Sequence, residues 1–162
     1  HYLGNIGDQD IESAFRVTVE SAGKTIDQPA VSLAVASIKG FAYMMQLVGY
    51  FSWMESGTRT EISLDDVEKG VDLARRDLES GVLDATYREL SAGDVAFLKA
   101  MLEDESESRL STIAKRLGKP NGYASTYKTR LERQGVIDEL PGGALAISMP
   151  FFREYLEKRI GQ

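Results

Sequence analysis

Apolar residues recur at helical spacing through the first half of the chain. Near the start, Ile11, Phe15 and Val19 lie about one turn apart, as on the buried face of an amphipathic helix. A second helix follows Asp27, an N-cap residue, with Pro29 in the first turn, where a missing N–H costs nothing. The pattern predicts two helices before residue 40.

The segment 38–53, "IKGFAYMMQLVGYFSW", is apolar on two faces. Met44 and Val48 belong to one row, and Tyr50 and Trp53 to another. A helix apolar on both sides is typical of the middle of a bundle, covered by several neighbours. Gly49 costs roughly 1 kcal/mol inside a helix relative to Ala, so we expect a close helix crossing there.

A further amphipathic helix is predicted in the segment "ISLDDVEKGVDLARRDLESGVL", and "DATYREL" extends or restarts it. Ser63 and Asp66 resemble a capping box at its start, and Val67, Val71 and Leu78 form one apolar stripe. The helix is predicted to complete a small helical bundle.

After residue 90 the order of elements changes. It reads as helix, polar loop "EDESES", helix, turn "KPNG", helix, hairpin and closing helix, and the hairpin turn is Pro141-Gly142-Gly143. This order is typical of a winged helix. We therefore predict a mainly α fold: a helical bundle in 1–90, then a winged helix-turn-helix domain in 91–162 with one β-hairpin. The rings of Phe151, Phe152 and Tyr155 are expected to pack the last helix onto this domain.

Composition excludes several kinds of chemistry. The chain has no cysteine and one histidine, His1, so thiolate sites, histidine zinc sites and Ser-His-Asp triads are excluded. The longest apolar run is too short for a bilayer, which needs about 20 residues, and the start lacks the pattern of a signal peptide. We expect a cytoplasmic protein. With no initial methionine, the chain is interpreted as a piece of a longer one, with His1 left by a purification tag.

Charge is distributed unevenly. Residues 1–90 hold 8 basic and 15 acidic residues, whereas 109–134 hold seven basic residues and one acid, Glu132. This second stretch is a candidate contact for a polyanion.

Six segments together resemble a known family: "KGFAYMMQLVGYFSW", "ISLDDVEKGVDLA", "LSAGDVAFLKAM", "STIAKRLGK", "ASTYKTRLERQGVID" and "ALAISMPFFREYL". From about Leu3 to Ile160 the chain is similar to the C-terminal part of AAA-type ATPases related to the origin-recognition initiators and to the signalling ATPases with numerous domains. The resemblance implies a helical lid followed by a winged helix. For the full-length parent it implies ATP, Mg and an N-terminal ATPase core as a partner.

The resemblance also implies a nucleotide-proximal segment in the lid, formed by Lys39, Gly40, Phe41 and Ala42. Ala42 stands where the family has proline, and no arginine is present there to act as a phosphate sensor. This departure argues against a direct phosphate-sensing role.

No catalytic, cofactor or metal site is predicted in the fragment itself. The nearest match to a phosphate loop, Gly23-Lys24-Thr25, has Thr18 where the first glycine belongs. We therefore expect no ATP hydrolysis by this fragment. The acidic pairs 65–66 and 104–105 lack the spacing of a calcium loop or a buried dyad and are interpreted as capping and solvated residues.

The third helix after residue 90 is the candidate DNA-binding element. If Ala124 and Leu131 face inward, the outer face and its edges carry Ser125, Thr126, Lys128, Thr129, Arg130 and Arg133. Such groups suit phosphates and base edges. Lys115, Arg116 and Lys119 could clamp the backbone of double-stranded DNA.

Two alternatives remain. The same basic face is typical of a protein-protein interaction or assembly module that meets an acidic surface, and the wing favours this because Asp138 and Glu139 precede a tip without basic residues. A free-standing transcription regulator that dimerises through 1–90 is the other, but it leaves the lid-like segments unexplained.

Overall fold

The computed structural model describes residues 6–160, which divide into two compact units, 6–82 and 83–160. His1 and Leu3 lie outside the described residues. The helices are α1 (Asp8–Ser21), α2 (Gln28–Ile38), α3 (Ala42–Ser56), α4 (Leu64–Leu78), α5 (Asp84–Arg88), α6 (Ala92–Met101), α7 (Leu110–Leu117), α8 (Asn121–Arg133) and α9 (Phe152–Ile160). The strands are β1 (Thr25–Ile26), β2 (Glu61–Ile62), β3 (Glu107–Ser108), β4 (Ile137–Glu139) and β5 (Leu145–Ile147), and a π-helical turn, Glu79–Leu83, stands between α4 and α5 in the chain. The predicted fold class, a helical bundle and a winged helix, is confirmed; the predicted division into functional domains at residue 90 stays a prediction.

The N-terminal unit is a bundle in which α3 and α4 form the most extensive helix pair. At Gly70 a Cβ atom would lie 2.5 Å from Ser52 Oγ and 2.7 Å from the Ser52 backbone nitrogen, so only glycine fits there. A Cβ on Gly49 would lie 3.7 Å from Phe15 Cε2, an ordinary contact. The close crossing expected at Gly49 is therefore wrong, and it lies at Gly70 instead.

Helix α3 is fully buried on one face only. Met44, Val48 and Ser52 have no exposed surface, whereas Tyr43 is 38% and Tyr50 60% exposed. The expectation that neighbours cover both apolar rows is wrong, because α1 and α3 leave an apolar groove between them.

Two predicted helix starts are confirmed. Asp27 Oδ1 accepts a hydrogen bond from the Ala30 N–H at 3.2 Å. Ser63 and Asp66 form a capping box, in which the Asp66 N–H donates to the Ser63 hydroxyl at 3.1 Å and the Ser63 N–H donates to the Asp66 carboxylate at 2.9 Å. These bonds satisfy amides that a helix start leaves without intrahelical partners.

The N-terminal unit also contains a parallel pairing that the sequence pattern missed. Thr25 pairs with Glu61 and Ile26 with Ile62, and the Thr25 N–H donates to the Thr60 carbonyl at 2.8 Å. Two-residue strands are too short to show a periodicity. The pairing connects the segment before α2 to the segment before α4.

The C-terminal unit packs α6, α7 and α8 against one another beside an antiparallel sheet of order β3-β5-β4. The predicted hairpin is β4–β5, and Gly142 and Gly143 in its turn have φ of 94° and 92°, which glycine adopts without strain. The segment "EDESES" is not wholly loop, because Glu107 and Ser108 pair with β5.

The last helix, α9, packs through aromatic rings. Phe152 and Tyr155 stack with centroids 5.6 Å apart, and both are buried, as predicted. Burial and the hydrogen bond to Asp84 raise the pKa of Tyr155 to about 12. Arg159 donates to Asp84 at 3.0 Å and lies over the Tyr87 ring at 4.6 Å. These contacts place α5 in the C-terminal unit.

Candidate nucleic-acid interface

The helix-turn-helix is formed by α7, a short turn and α8. Gly118 ends α7 in the left-handed region at φ 66°, and Pro120, whose fixed φ suits an extended residue, is the N-cap of α8. Lys119 stands between them and is exposed. The turn thus presents a cation where the two helices meet.

Lys115, Lys119 and Arg133 are exposed, and no carboxylate lies within salt-bridge distance of them among residues 6–160. The Lys119 ammonium lies 5.1 Å from the centroid of the Tyr123 ring, a distance at which a cation and an aromatic face attract. The predicted contact of these three residues with DNA stays a prediction.

Arg116 is held within its own unit. Its guanidinium donates to the two Asp104 oxygens at 2.8 and 2.9 Å and to the Ala100 carbonyl at 2.8 Å. The Arg116 hydrogen bonds, with one from Ser108, lower the pKa of Asp104 to about 2. A phosphate would have to displace this bidentate pair, so Arg116 is a weaker candidate than its neighbours on α7.

Lys128 contacts the wing from the edge of the outer face of α8. Its ammonium donates to Glu139 Oε1 at 2.6 Å, and its side chain is 23% exposed. The hydrogen bond to Glu139 raises the pKa of Lys128. Lys128 therefore lies at the edge of the outer face, where β4 offers it a carboxylate, and its contact with DNA stays a prediction.

Arg130 donates to both oxygens of Asp94, at 3.2 and 3.0 Å. Asp94 also closes a capping box with Ser91, and its side chain has no exposed surface. Burial alone would raise the pKa of Asp94, but the bonds from Arg130 and Ser91 outweigh burial and lower it. Arg130 remains 46% exposed, so its outer edge is still accessible.

The outer face of α8 is short and hydroxyl-rich. Thr126 and Thr129 are exposed, and their hydroxyls donate to the carbonyls of Gly122 and Ser125 at 3.2 and 3.1 Å. Ser125 itself is half-buried. The hydroxyl oxygens of Thr126 and Thr129 still have lone pairs available, so this face can accept hydrogen bonds. Its short side chains let another chain approach the helix closely.

The wing receives a cation from another element. Arg109 is exposed, precedes α7, and donates from Nη1 to the Gly142 carbonyl at the wing tip at 2.7 Å. Sequence reasoning missed this residue as a wing cation. Its only signal was its place directly after Glu107 and Ser108, the strand that pairs with β5.

The predicted nucleotide-proximal residues form the joint between α2 and α3. Lys39 and Gly40 both have positive φ, 53° and 76°, and the Gly40 carbonyl accepts from the Ile6 N–H at 2.9 Å. Phe41 is the N-cap of α3, and Ala42 is its exposed first residue. The segment is a tight, ordered joint, and its role toward a nucleotide stays a prediction.

In 6–160, no helix is both long and apolar enough to cross a membrane. Within the same range, no three acidic, histidine or cysteine side chains converge as a metal site.

The C-terminal unit is thus a winged helix-turn-helix. A family profile described as a domain of unknown function (DUF8462) matches residues 80–156. No curated protein matches the chain. Among solved structures, a RuvB mutant from Thermotoga maritima is similar at 15% identity and a TM-score of 0.39, covering 98% of this chain and 50% of that one. The chain therefore spans about half the length of that structure.

Proposed function

We propose that this chain is the lid and winged helix of an AAA-type ATPase and that the winged helix contacts double-stranded DNA. The ATPase part is supported by the six family-like segments and by the order of bundle and winged helix. The full-length parent would bind ATP and Mg through a core outside this chain. The fragment, which has no phosphate loop, is expected not to hydrolyse ATP.

One observation carries the DNA-binding part. Four exposed cations lie around the helix-turn-helix and at the wing: Arg109, Lys115, Lys119 and Arg133. Within the described chain, no carboxylate lies within salt-bridge distance of any of them. Cations of this kind can replace the counterions of DNA phosphates, which is the main source of sequence-independent affinity. Lys128, Arg130 and Arg116 already have carboxylate partners and contribute less.

Salt-dependent binding tests this function. Anisotropy of a labelled duplex is measured from about 50 to about 200 mM salt. The double variant Lys115→Ala/Lys119→Ala should lower the log-log salt slope by about 2, since each lost phosphate contact removes about 0.9. The matched control Arg75→Ala/Arg76→Ala removes two exposed cations of α4 and should leave the slope unchanged. Equal slopes for the two double variants would contradict DNA contact at the turn.

Contact with an acidic protein surface is the second candidate function. It is favoured by the pairing of Lys128 with Glu139, which places a carboxylate on the wing where phosphate would be repelled. If no duplex is retained even at about 50 mM salt, this second function replaces the first.

The ATPase part has its own test, which does not depend on DNA. The sequence upstream of this segment in its parent should contain a phosphate loop and the acidic residues that follow a Walker B strand. A parent without them would overturn the ATPase assignment and leave the DNA experiment unaffected.

A further inference from the structure

An apolar groove of about 440 Å³ lies between α1 and α3 in the N-terminal unit. Phe15 and Val19 of α1 line one side, and Gly49, Tyr50 and Trp53 of α3 line the other. The groove has the size of sites that hold apolar ligands or side chains, roughly 300–1,000 Å³. The role proposed above for the winged helix makes no use of it.

The groove exposes large apolar side chains at its rim. Tyr50 is 60% and Met54 58% exposed, and neighbouring exposed apolar side chains mark interaction sites. The lining residues on this side run from Ala14 in α1 to Ala22, the residue that follows the helix, which is about 12 Å at the helical rise. A partner helix of two to three turns, with apolar anchors at i, i+3 or i+4, and i+7, matches that length.

The net charge of the N-terminal unit indicates the sign of the charge that a partner should carry. This unit holds thirteen acidic and seven basic residues. Among the basic side chains, Arg16 donates to the Ile26 carbonyl at 3.0 Å, Arg59 bonds Asp66 and Lys69 bonds Asp65. The unit therefore presents a negative field, which attracts cationic segments.

Lys24, the cation next to the groove, does not reverse this field. It is 9% exposed, and its ammonium bonds Ser56 Oγ and the Gly57 carbonyl while lying 4.4 Å from the Trp53 ring centroid. Its charge is directed toward the end of α3, where helix carbonyls attract cations.

We propose that the groove binds a cationic amphipathic helix of a partner protein. The basic helices of this chain do not qualify, because their apolar residues are already buried in the C-terminal unit: Ile113 and Ala114 of α7, and Ala124 and Leu131 of α8. The flexible side chains of Met45 and Met54 adapt to partner side chains of different shape. This proposal does not depend on the ATPase or DNA assignment.

Trp53 provides the readout, since it is the single tryptophan of the chain. Three synthetic peptides of about 15 residues are titrated into the 162-residue protein: leucines at helical spacing with lysines elsewhere, the same leucines with glutamates, and the lysine peptide with its leucines scrambled. We expect a saturable change in Trp53 emission with the first peptide, at least tenfold tighter than with either other peptide.

Variants locate the binding. Gly49→Leu fills the floor of the groove and should weaken binding of the lysine peptide at least tenfold. Gly49→Ala, whose methyl group meets Phe15 at an ordinary distance, is its control and should bind normally. Met54→Lys, at a 58% exposed position, should also weaken binding, and it tests the proposal if Gly49→Leu proves unstable. Val17→Ser, at a 61% exposed site that does not line the groove, should change nothing.

Three outcomes would overturn the proposal. The glutamate or scrambled peptide could bind as tightly as the lysine peptide. The groove variants could bind the lysine peptide like the unchanged protein. Finally, the protein could self-associate in a manner that Met54→Lys abolishes, which would assign the groove to a second copy of this chain.

Discussion

Both units contain a capping box whose aspartate is buried and bonded to an arginine, but the two arginines come from different places. Asp66 is bonded by Arg59, seven residues earlier in the segment before the same helix. Asp94 is bonded by Arg130 of α8, 36 residues away in sequence. The capping box at a helix start therefore stabilises a single helix in the bundle, whereas in the winged helix it also joins two helices of the core.

Glycine is used differently in the two units as well. Gly70 faces the backbone of Ser52, whose nitrogen would lie 2.7 Å from an added Cβ. Gly93 faces the Tyr127 ring, whose atoms would lie 2.4 Å from an added Cβ. A ring can rotate away and a packed helix backbone cannot, so the bundle depends on backbone fit and the winged helix on side-chain pairing.

The largest expected effect comes from removing Asp94. Asp94→Ala should lower the free energy of unfolding by about 3 kcal/mol, since it removes a helix cap and the two hydrogen bonds that join this buried carboxylate to Arg130 of α8. Asp66→Ala should cost about 1–2 kcal/mol, because its pair is local. Urea unfolding followed by circular dichroism measures both, with Trp53 fluorescence assigning transitions to the bundle. Equal losses would contradict the distinction between a local and a tertiary pair.

The second expected effect is that alanine substitutions at the two glycines of α3 and α4 change the stability in opposite directions. Gly70→Ala should destabilise by about 2 kcal/mol through overpacking against Ser52. Gly49→Ala should stabilise by up to about 1 kcal/mol, because alanine is the better helix former and its methyl group fits beside Phe15. Urea midpoints measured with Trp53 fluorescence should shift in opposite directions. A stabilising Gly70→Ala would show that α3 and α4 are not closely packed.

The smallest effect is a difference in acid sensitivity. The pKa of Asp104 is lowered from 3.8 to about 2, and the pKa of Asp94 is also lowered. A lowered pKa in the folded state gives stability that is present above the ordinary pKa and is lost as the pH falls through the folded one. The C-terminal unit should therefore lose stability between about pH 4 and pH 2.

In the described part of the bundle, Asp66 is the one carboxylate whose pKa is clearly lowered. Circular dichroism should consequently detect unfolding at a higher pH than Trp53 fluorescence does. Asp104→Asn should reduce the difference between these two unfolding pH values. An unchanged difference would rule out the Asp104–Arg116 pair as its cause.

Much of the fold could be predicted from local patterns. The caps at Asp27 and Ser63, the hairpin turn at Gly142 and the order of helices after residue 90 are each determined within a few residues, and all are confirmed. The two-residue strands were missed because their pairing depends on residues far apart in sequence. The exposure of one apolar row of α3 was missed because an apolar row in the sequence does not reveal how closely a neighbouring helix, here α1, packs against it.

The candidate site was harder to predict than the fold. A helical projection places Arg130 and Lys128 near the outside of α8, but it contains no information about Asp94 on α6 or Glu139 on β4. Arg109 was missed for the converse reason, since only the strand pairing brings it to the wing tip. Sequence reasoning therefore located the cationic region, and the carboxylates around it decide which cations remain unpaired.

The pairing of β1 with β2 has a consequence for the order of folding. The pairing closes a long loop of chain that contains α2 and α3. Because only two residues of each strand pair, the contact does not offset the entropy cost of closing that loop until α2 and α3 have docked. The backbone hydrogen bond from Thr25 to Thr60 should consequently be among the last to form and the first to break. Amide exchange there would report early opening of the bundle long before its core unfolds.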